Sequence, residues 1–285
     1  MKDDLKKYHQ KFIDFLKSKN RTTSTILAYG KDINQLIDFL LTNNVQDIKT
    51  ADTKTLEKFI KSLHDANYTP KTISRKINSI KTFYRFLQNN NIISQNPSMP
   101  ISHPKYETKP PRVLSKTEYR ALRDSCRHDI RTYAIVELLL QTGIRIGELS
   151  RLALNNVNER DLIITPYESH QQRKIPLNKA AKNAISLYIN IRPQTKNNTI
   201  FITKTGRPLL VRNIRTTIER YFKQAGVKGA KVNDLRHTFI TQQLKSGTSL
   251  LVVSKIVGHK RLSTTEKYLE LIQDKVEEKT KLEEL

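Results

Sequence analysis

The chain has 285 residues, roughly twice a common domain of about 150, so two domains are expected, each with its own core. Its 51 basic and 27 acidic side chains leave a net charge of +24, the electrostatic footprint of a polyanion binder, with nucleic acid the expected polyanion. The lone Cys126 excludes an internal disulfide and a cysteine-based zinc site, and it suits a reducing compartment.

The opening stretch MKDDLKKYHQ has no apolar run of signal-peptide type, and Glu137 interrupts the most apolar window, residues 134–140. Neither secretion nor a membrane span is therefore expected. With only 8 glycines and 10 prolines, about half the usual share of roughly 12%, long helices are favoured over a turn-rich β fold.

Four stretches in the first hundred residues repeat apolar side chains at helical spacing. They are Leu5, Tyr8, Phe12 and Phe15; Ile26, Tyr29, Ile33, Leu36, Ile37 and Leu40; Leu56, Phe59, Ile60 and Leu63; and Ile73, Ile77, Ile80, Phe83 and Leu87. Thr69 as N-cap and Pro70 at the first helical position open the fourth. On it Lys71, Arg75, Lys76, Lys81 and Arg85 lie off the apolar stripe, which makes Lys71, Arg75 and Lys76 candidate phosphate contacts.

Residues 97–112 hold five prolines (Pro97, Pro100, Pro104, Pro110 and Pro111) and no hydrophobic period, as expected of a semi-rigid connector. The expected organisation is a four-helix domain over 1–96, a linker over 97–112 and a second domain over 113–285, with a tail from about residue 270. Ser115 and Glu118 form a capping box at the start of the second domain. There LIITPY (162–167) and RKIPL (173–177) read as two strands joined by a turn, and a third strand is expected near Val157. Helices are expected at 180–191, 211–225, 234–245 and 249–257. The fold class is mainly α, with a small three-stranded antiparallel sheet.

Three separated segments carry chemistry. In TGIRIGEL (142–149) Gly143 can end a helix in a left-handed conformation, which leaves Arg145 at a sharp turn. NDLRHTF (233–239) puts Arg236 and His237 near a helix start, where backbone N–H groups favour anions. GHKRLSTTEKY (258–268) has a helix-ending glycine, then His259, then a short helix bearing Tyr268.

In this order and spacing the three segments resemble the tyrosine recombinase family of phage integrases and Xer-like enzymes. The resemblance spans the whole chain and implies a helical, SAM-like core-binding domain followed by a catalytic domain, the pair clamping duplex DNA. It makes Arg145 and Arg236 the catalytic arginines, His259 the histidine after them and Tyr268 the nucleophile. Glu148 becomes the support of Arg145, and His237 a structural companion of Arg236. The chemistry is consistent with these roles, because guanidinium forks suit the non-bridging oxygens of a phosphorane-like state and a tyrosyl ester stores the energy of the broken linkage. No cofactor and no metal is implied.

Two positions depart from the family pattern. Glu168 stands at the turn where most members have a lysine as general acid; an ionised carboxylate holds no proton to give, so Lys174, Arg173 or His170 are the alternative donors, with Lys174 favoured. Arg173 is also a candidate DNA contact. Asn233 stands three residues before Arg236 in place of the usual histidine; it can donate a hydrogen bond but cannot titrate.

Both departures suit a divergent subgroup such as the TnpI type of transposon cointegrate resolvase. Further implications are a homotetramer on two DNA sites, linked through the C-terminal tail, where Leu271, Ile272, Val276, Leu282 and Leu285 can form the apolar stripe of a short helix; packing of that helix on its own domain, or a frayed end, is the alternative. Accessory DNA sites or proteins and a location at the cytoplasmic nucleoid follow in the same way. A non-catalytic architectural protein and a type IB topoisomerase-like enzyme remain the alternatives.

Overall fold

The computed structural model describes residues 2–107, 109–166 and 171–272. The chain divides into two compact units, Met1–Thr108 and Lys109–Leu285.

The first unit contains α1 (Lys2–Ser18), α2 (Thr23–Thr42), α3 (Thr53–Asp65) and α4 (Pro70–Asn89). Thr22, Asp52 and Thr69 cap the last three, each side chain accepting a backbone N–H three residues on. All four helices end in one way: Asn20, Asn44, Asn67 and Asn91 take left-handed φ values of 50–60°. The next residue's N–H then reaches back five positions, Arg21 to Leu16, Val45 to Leu40, Tyr68 to Leu63 and Ile92 to Leu87. These are Schellman caps, with asparagine in the place more often taken by glycine.

The apolar stripes meet in a core that includes Phe12, Ile33, Leu36, Phe59, Ile77 and Phe83. Phe12 packs edge-on to Phe83 with ring centroids 5.1 Å apart. Ser98 and Ile101 are buried on this unit, and Thr53 donates to the Pro97 carbonyl at 2.9 Å.

The core also holds a charge. Asp32, 2% exposed on α2, is bound by Arg75, by Lys76 Nζ at 2.9 Å and by Ser79 Oγ at 3.1 Å. Lys76 is therefore turned inward rather than toward solvent, which corrects its reading as a phosphate contact. A buried carboxylate requires a cation, and Lys76 also donates to Gln35 at 2.6 Å and lies over the Tyr68 ring. Arg75 shares the carboxylate but keeps 42% of its side chain exposed, and Lys71 is exposed.

The second unit begins with α5 (Lys116–Cys126), opened by the Ser115–Glu118 capping box, and α6 (Ile130–Thr142). It continues with α7 (Ile146–Leu149), β1 (Asp161–Ile164), β2 (Arg173–Pro176), α8 (Lys179–Ile191) and α9 (Val211–Gln224). The last helices are α10 (Val232–Lys245), α11 (Leu250–Val257) and α12 (Ser263–Glu266). Helix α6 carries the most apolar window and packs against α5, α8 and α10. Its interrupting Glu137 is fully buried and paired with Arg123 of α5, so the charge joins two helices.

Strands β1 and β2 pair antiparallel, from Asp161 opposite Pro176 to Ile164 opposite Arg173. The expected third strand is reduced to a single bridge between Val157 and Leu162. A 3-10 turn over Leu154–Asn156 runs straight into it, and Asn158 N–H bonds the Asp161 carbonyl, so the chain reverses before a ladder can form. Tyr268 lies just past α12 rather than within it. No described helix is long and apolar enough to cross a membrane. Of the tail stripe, Val276, Leu282 and Leu285 lie outside the described residues.

Candidate active site

Gly143 ends α6 at φ 61°, and a Cβ there would fall 2.3 Å from the Phe239 ring. This turn sends the backbone into Arg145, the N-cap of α7, whose own N–H donates to Glu148 Oε2 at 2.8 Å. Its guanidinium donates from Nη1 to Glu148 Oε1 at 3.2 Å and to the Val257 carbonyl at 3.1 Å, and from Nη2 to the Gly258 carbonyl at 2.8 Å. Arg236, from the second turn of α10, donates to the Gly143 carbonyl and to the same Val257 carbonyl at 2.7 Å. Two guanidinium groups 91 positions apart in sequence (145 and 236) thus converge on one oxygen atom.

A third joins them. Arg173 of β2 donates from Nε to the Ile256 carbonyl at 2.7 Å and grips both oxygens of Glu148, at 2.8 and 2.7 Å. The last carbonyls of α11 have no partners within the helix and carry the negative end of its dipole, and the three arginines satisfy them. This offsets the mutual repulsion of the cations, and Glu148 adds a full negative charge. Burial disfavours the Glu148 carboxylate, but the hydrogen bonds and charge of Arg173 outweigh it and bring its pKa down to about 2. Burial, followed by the charge of Arg145, draws Arg236 down to about 9, so it remains cationic at neutral pH. Burial likewise lowers Arg145.

Gly258 ends α11 at φ 69° and releases His259 toward the arginines. His259 Nδ1 lies 2.8 Å from Thr265 Oγ1. Burial, then Arg236 and Arg145, press its pKa to about 4, so the ring is neutral at pH 7. In the tautomer whose Nδ1 accepts from the Thr265 hydroxyl, Nε2 carries the hydrogen and is a donor. Tyr268, 5% exposed, packs with Phe239, Ile240, Val253 and Val257. Its ring stacks near that of His259, 6.4 Å between centroids, and its hydroxyl lies 2.6 Å from His237 Nδ1. Burial raises the phenol pKa, and Arg236 acts in the opposite sense.

An open cleft of about 790 Å³ adjoins the cluster, with Arg173, Lys174, Lys255, His259 and Lys260 on its walls. Cationic side chains around a concave surface suit a phosphate-bearing ligand.

The structure brings together Arg145, Arg236, His259, Tyr268, Glu148 and His237. Lys174 is exposed on the cleft wall, and Asn233 is exposed on the first turn of α10. Arg173 lines the cleft, but its guanidinium is committed to Glu148 and the Ile256 carbonyl. Glu168 and His170 lie outside the described residues. Among the described residues no group of three or more His, Cys, Asp and Glu side chains could hold a metal ion.

Residues 112–274 match the model of the phage integrase family, and residues 10–91 match that of the phage integrase N-terminal SAM-like domain. The chain is 28% identical over 280 residues to tyrosine recombinase XerC of Bacillus subtilis (strain 168), covering 93% of this chain and 92% of that protein. It is 29% identical over 285 residues to tyrosine recombinase XerD of Staphylococcus saprophyticus, covering 96% of each. A crystal structure of a lambda integrase tetramer bound to a Holliday junction is similar with a TM-score of 0.75 at 17% identity, covering 90% of this chain and 77% of that one.

Proposed function

The chain belongs to the phage integrase family of tyrosine recombinases, and from that premise we propose that it cuts and rejoins DNA at specific sites through a 3′-phosphotyrosyl intermediate. The observation that carries this reading is the convergence of Arg145 and Arg236 on a single oxygen atom, with Tyr268 against the neighbouring residue of Arg236.

In the reaction the phenol oxygen of Tyr268 attacks phosphorus and the 5′ oxygen leaves. The two guanidinium groups and the Nε2–H of His259 donate to the non-bridging oxygens, whose charge grows in the phosphorane-like state. A preorganised donor of this kind contributes about 10²–10³ in rate. The leaving 5′ oxygen takes its proton from Lys174, which stands on the wall of the same cleft as His259. Glu148 holds Arg145 through both its backbone and its side chain. Asn233 serves as an uncharged donor to the phosphate.

The same reading places the protein in a homotetramer on two duplex sites; a tetramer is also what lambda integrase forms in its structure bound to a Holliday junction. The departures at Glu168 and Asn233 support a role on mobile-element DNA, resolving or integrating it, with accessory sites or proteins setting the direction. Lys71 and Arg75 of the first unit contact the DNA backbone. The test is a two-site plasmid assay. Recombinant product is expected with the intact chain, and none with Tyr268→Phe; relaxation of supercoils without site preference would contradict the reading.

A further inference from the structure

The hydroxyl of Tyr268 ends on an imidazole. His237 Nδ1 is 2.6 Å away, and the two rings lie 5.8 Å apart at 39°. His237 sits on α10 one helical turn beyond Asn233, a residue that cannot take up a proton. We propose that His237 is the general base for the nucleophile, an assignment that rests on the phosphotyrosyl reading above and replaces a purely structural role for this ring.

The geometry meets the first requirement of a base, hydrogen-bond reach of the proton it removes, within the range of about 2.6–3.2 Å. It also separates His237 from His259. The latter stacks nearly parallel to Tyr268, at 19°, and its Nδ1 is engaged by Thr265, so its ring face rather than a free nitrogen meets the phenol. The need for a base is physical: burial raises the Tyr268 phenol pKa, so at neutral pH the nucleophile carries a proton that it must lose as it attacks.

Among the described residues, the charged and titratable groups around His237 are Asp234 and Arg236 on its own helix, Tyr268 beyond α12 and His259 from the loop after α11. Burial holds His237 below the usual histidine range; Asp234 opposes this and Arg236 adds to it. The ring is therefore neutral at pH 7, and the proposal requires the tautomer with hydrogen on Nε2, in which Nδ1 accepts from the Tyr268 hydroxyl.

In cleavage the Oη–H bond of Tyr268 breaks as the Oη–P bond forms, and the proton passes to His237 Nδ1. The P–O5′ bond breaks, and the 5′ oxygen takes a proton from Lys174. Rejoining reverses each transfer: the 5′-hydroxyl attacks phosphorus, Lys174 regains its proton, and His237 returns its own to the tyrosine oxygen.

The experiment is single-turnover adduct formation on a nicked duplex of the protein's own recombination site. It uses an ordinary scissile phosphate and one with sulfur in place of the bridging 5′ oxygen, a leaving group that needs no acid. His237→Asn keeps a hydrogen-bonding group near the phenol but cannot titrate. We expect it to slow adduct formation by about 10²–10⁴-fold at neutral pH. Its remaining rate should rise about tenfold per pH unit as tyrosine ionises, and sulfur should not restore it.

An Asn variant as fast as the unaltered protein overturns the proposal. Restoration by sulfur also overturns it, because His237 would then act on the leaving-group side. Should His237→Asn not fold, His237→Gln, equally unable to titrate, takes its place under the same two substrates, and a rate equal to that of the unaltered protein overturns the assignment. An adduct that survives Tyr268→Phe contradicts the phosphotyrosyl reading itself, and that outcome is distinct from the others.

Discussion

Arg173 grips both carboxylate oxygens of Glu148 while its Nε closes the end of α11 on the Ile256 carbonyl, so one side chain ties β2, α7 and α11 together. Breaking a buried pair from one side typically costs about 3–5 kcal/mol, because the other charge is left without its partner. Arg173→Ala is therefore expected to destabilise the second unit by roughly that amount in denaturant unfolding. Arg173→Lys should recover only part of it, since an ammonium cannot hold two oxygens in a fork.

The acid side of the stability profile should carry the mark of Glu148. Its folded-state pKa of about 2 lies below the ordinary 4.5, so the unfolded chain takes up the proton first as pH falls. The stabilisation is complete above 4.5 and is lost between 4.5 and about 2. In Glu148→Gln this slope should be missing from that window, and the protein should be less stable at pH 7. A variant with an unchanged acid slope would show that Glu148 does not set it.

His259 adds a second window. Its pKa is pressed from 6.5 to about 4, so the unfolded chain again binds protons first and stability falls as pH drops through that interval. Unfolding of His259→Gln followed from pH 7 to 4 should show a shallower decline than the unaltered protein; an equal or steeper one contradicts this account of the ring.

Gly143→Ala tests the turn that aims Arg145. The added Cβ would meet Phe239 at 2.3 Å on a left-handed backbone, and the Gly143 carbonyl is held by Arg236. Overpacking of this kind costs about 1–3 kcal/mol and the left-handed strain about 1–2 more. Adduct formation should fall along with stability, because both arginines are displaced.

In the first unit, Lys71 and Lys76 should part company. Lys71→Ala is expected to weaken DNA binding across all sequences and to reduce the salt slope by about one unit. Lys76→Ala should instead destabilise the unit, since it leaves Asp32 with less compensation. Salt titrations of binding and denaturant melts of both variants separate the two effects. A salt slope unchanged in Lys71→Ala would remove it from the interface.

Helical periodicity in the sequence locates α1 to α4 because each buries a stripe such as Ile73, Ile77 and Ile80, and the motifs point to Arg145, Arg236, His259 and Tyr268. The asparagine caps escape a reading based on apolar spacing, since each depends on one polar residue in a left-handed turn. Lys76 misleads because a charge off the apolar stripe looks solvent-facing until Asp32, 44 positions away, is placed against it. Arg173 is obscured for the same reason. Its partners, Glu148 and the open end of α11, are remote in sequence, and backbone carbonyls leave no trace in the residue order. The signal that was present is Gly258, which marks where α11 ends and therefore where unsatisfied carbonyls accumulate.

The most direct measurement is to trap the protein on a nicked duplex site, digest the product with nuclease and trypsin, and locate the attached nucleotide by mass spectrometry. The account predicts a nucleotide joined through its 3′ phosphate to Tyr268 and no adduct with Tyr268→Phe. Attachment at another residue, or through a 5′ phosphate, would contradict it.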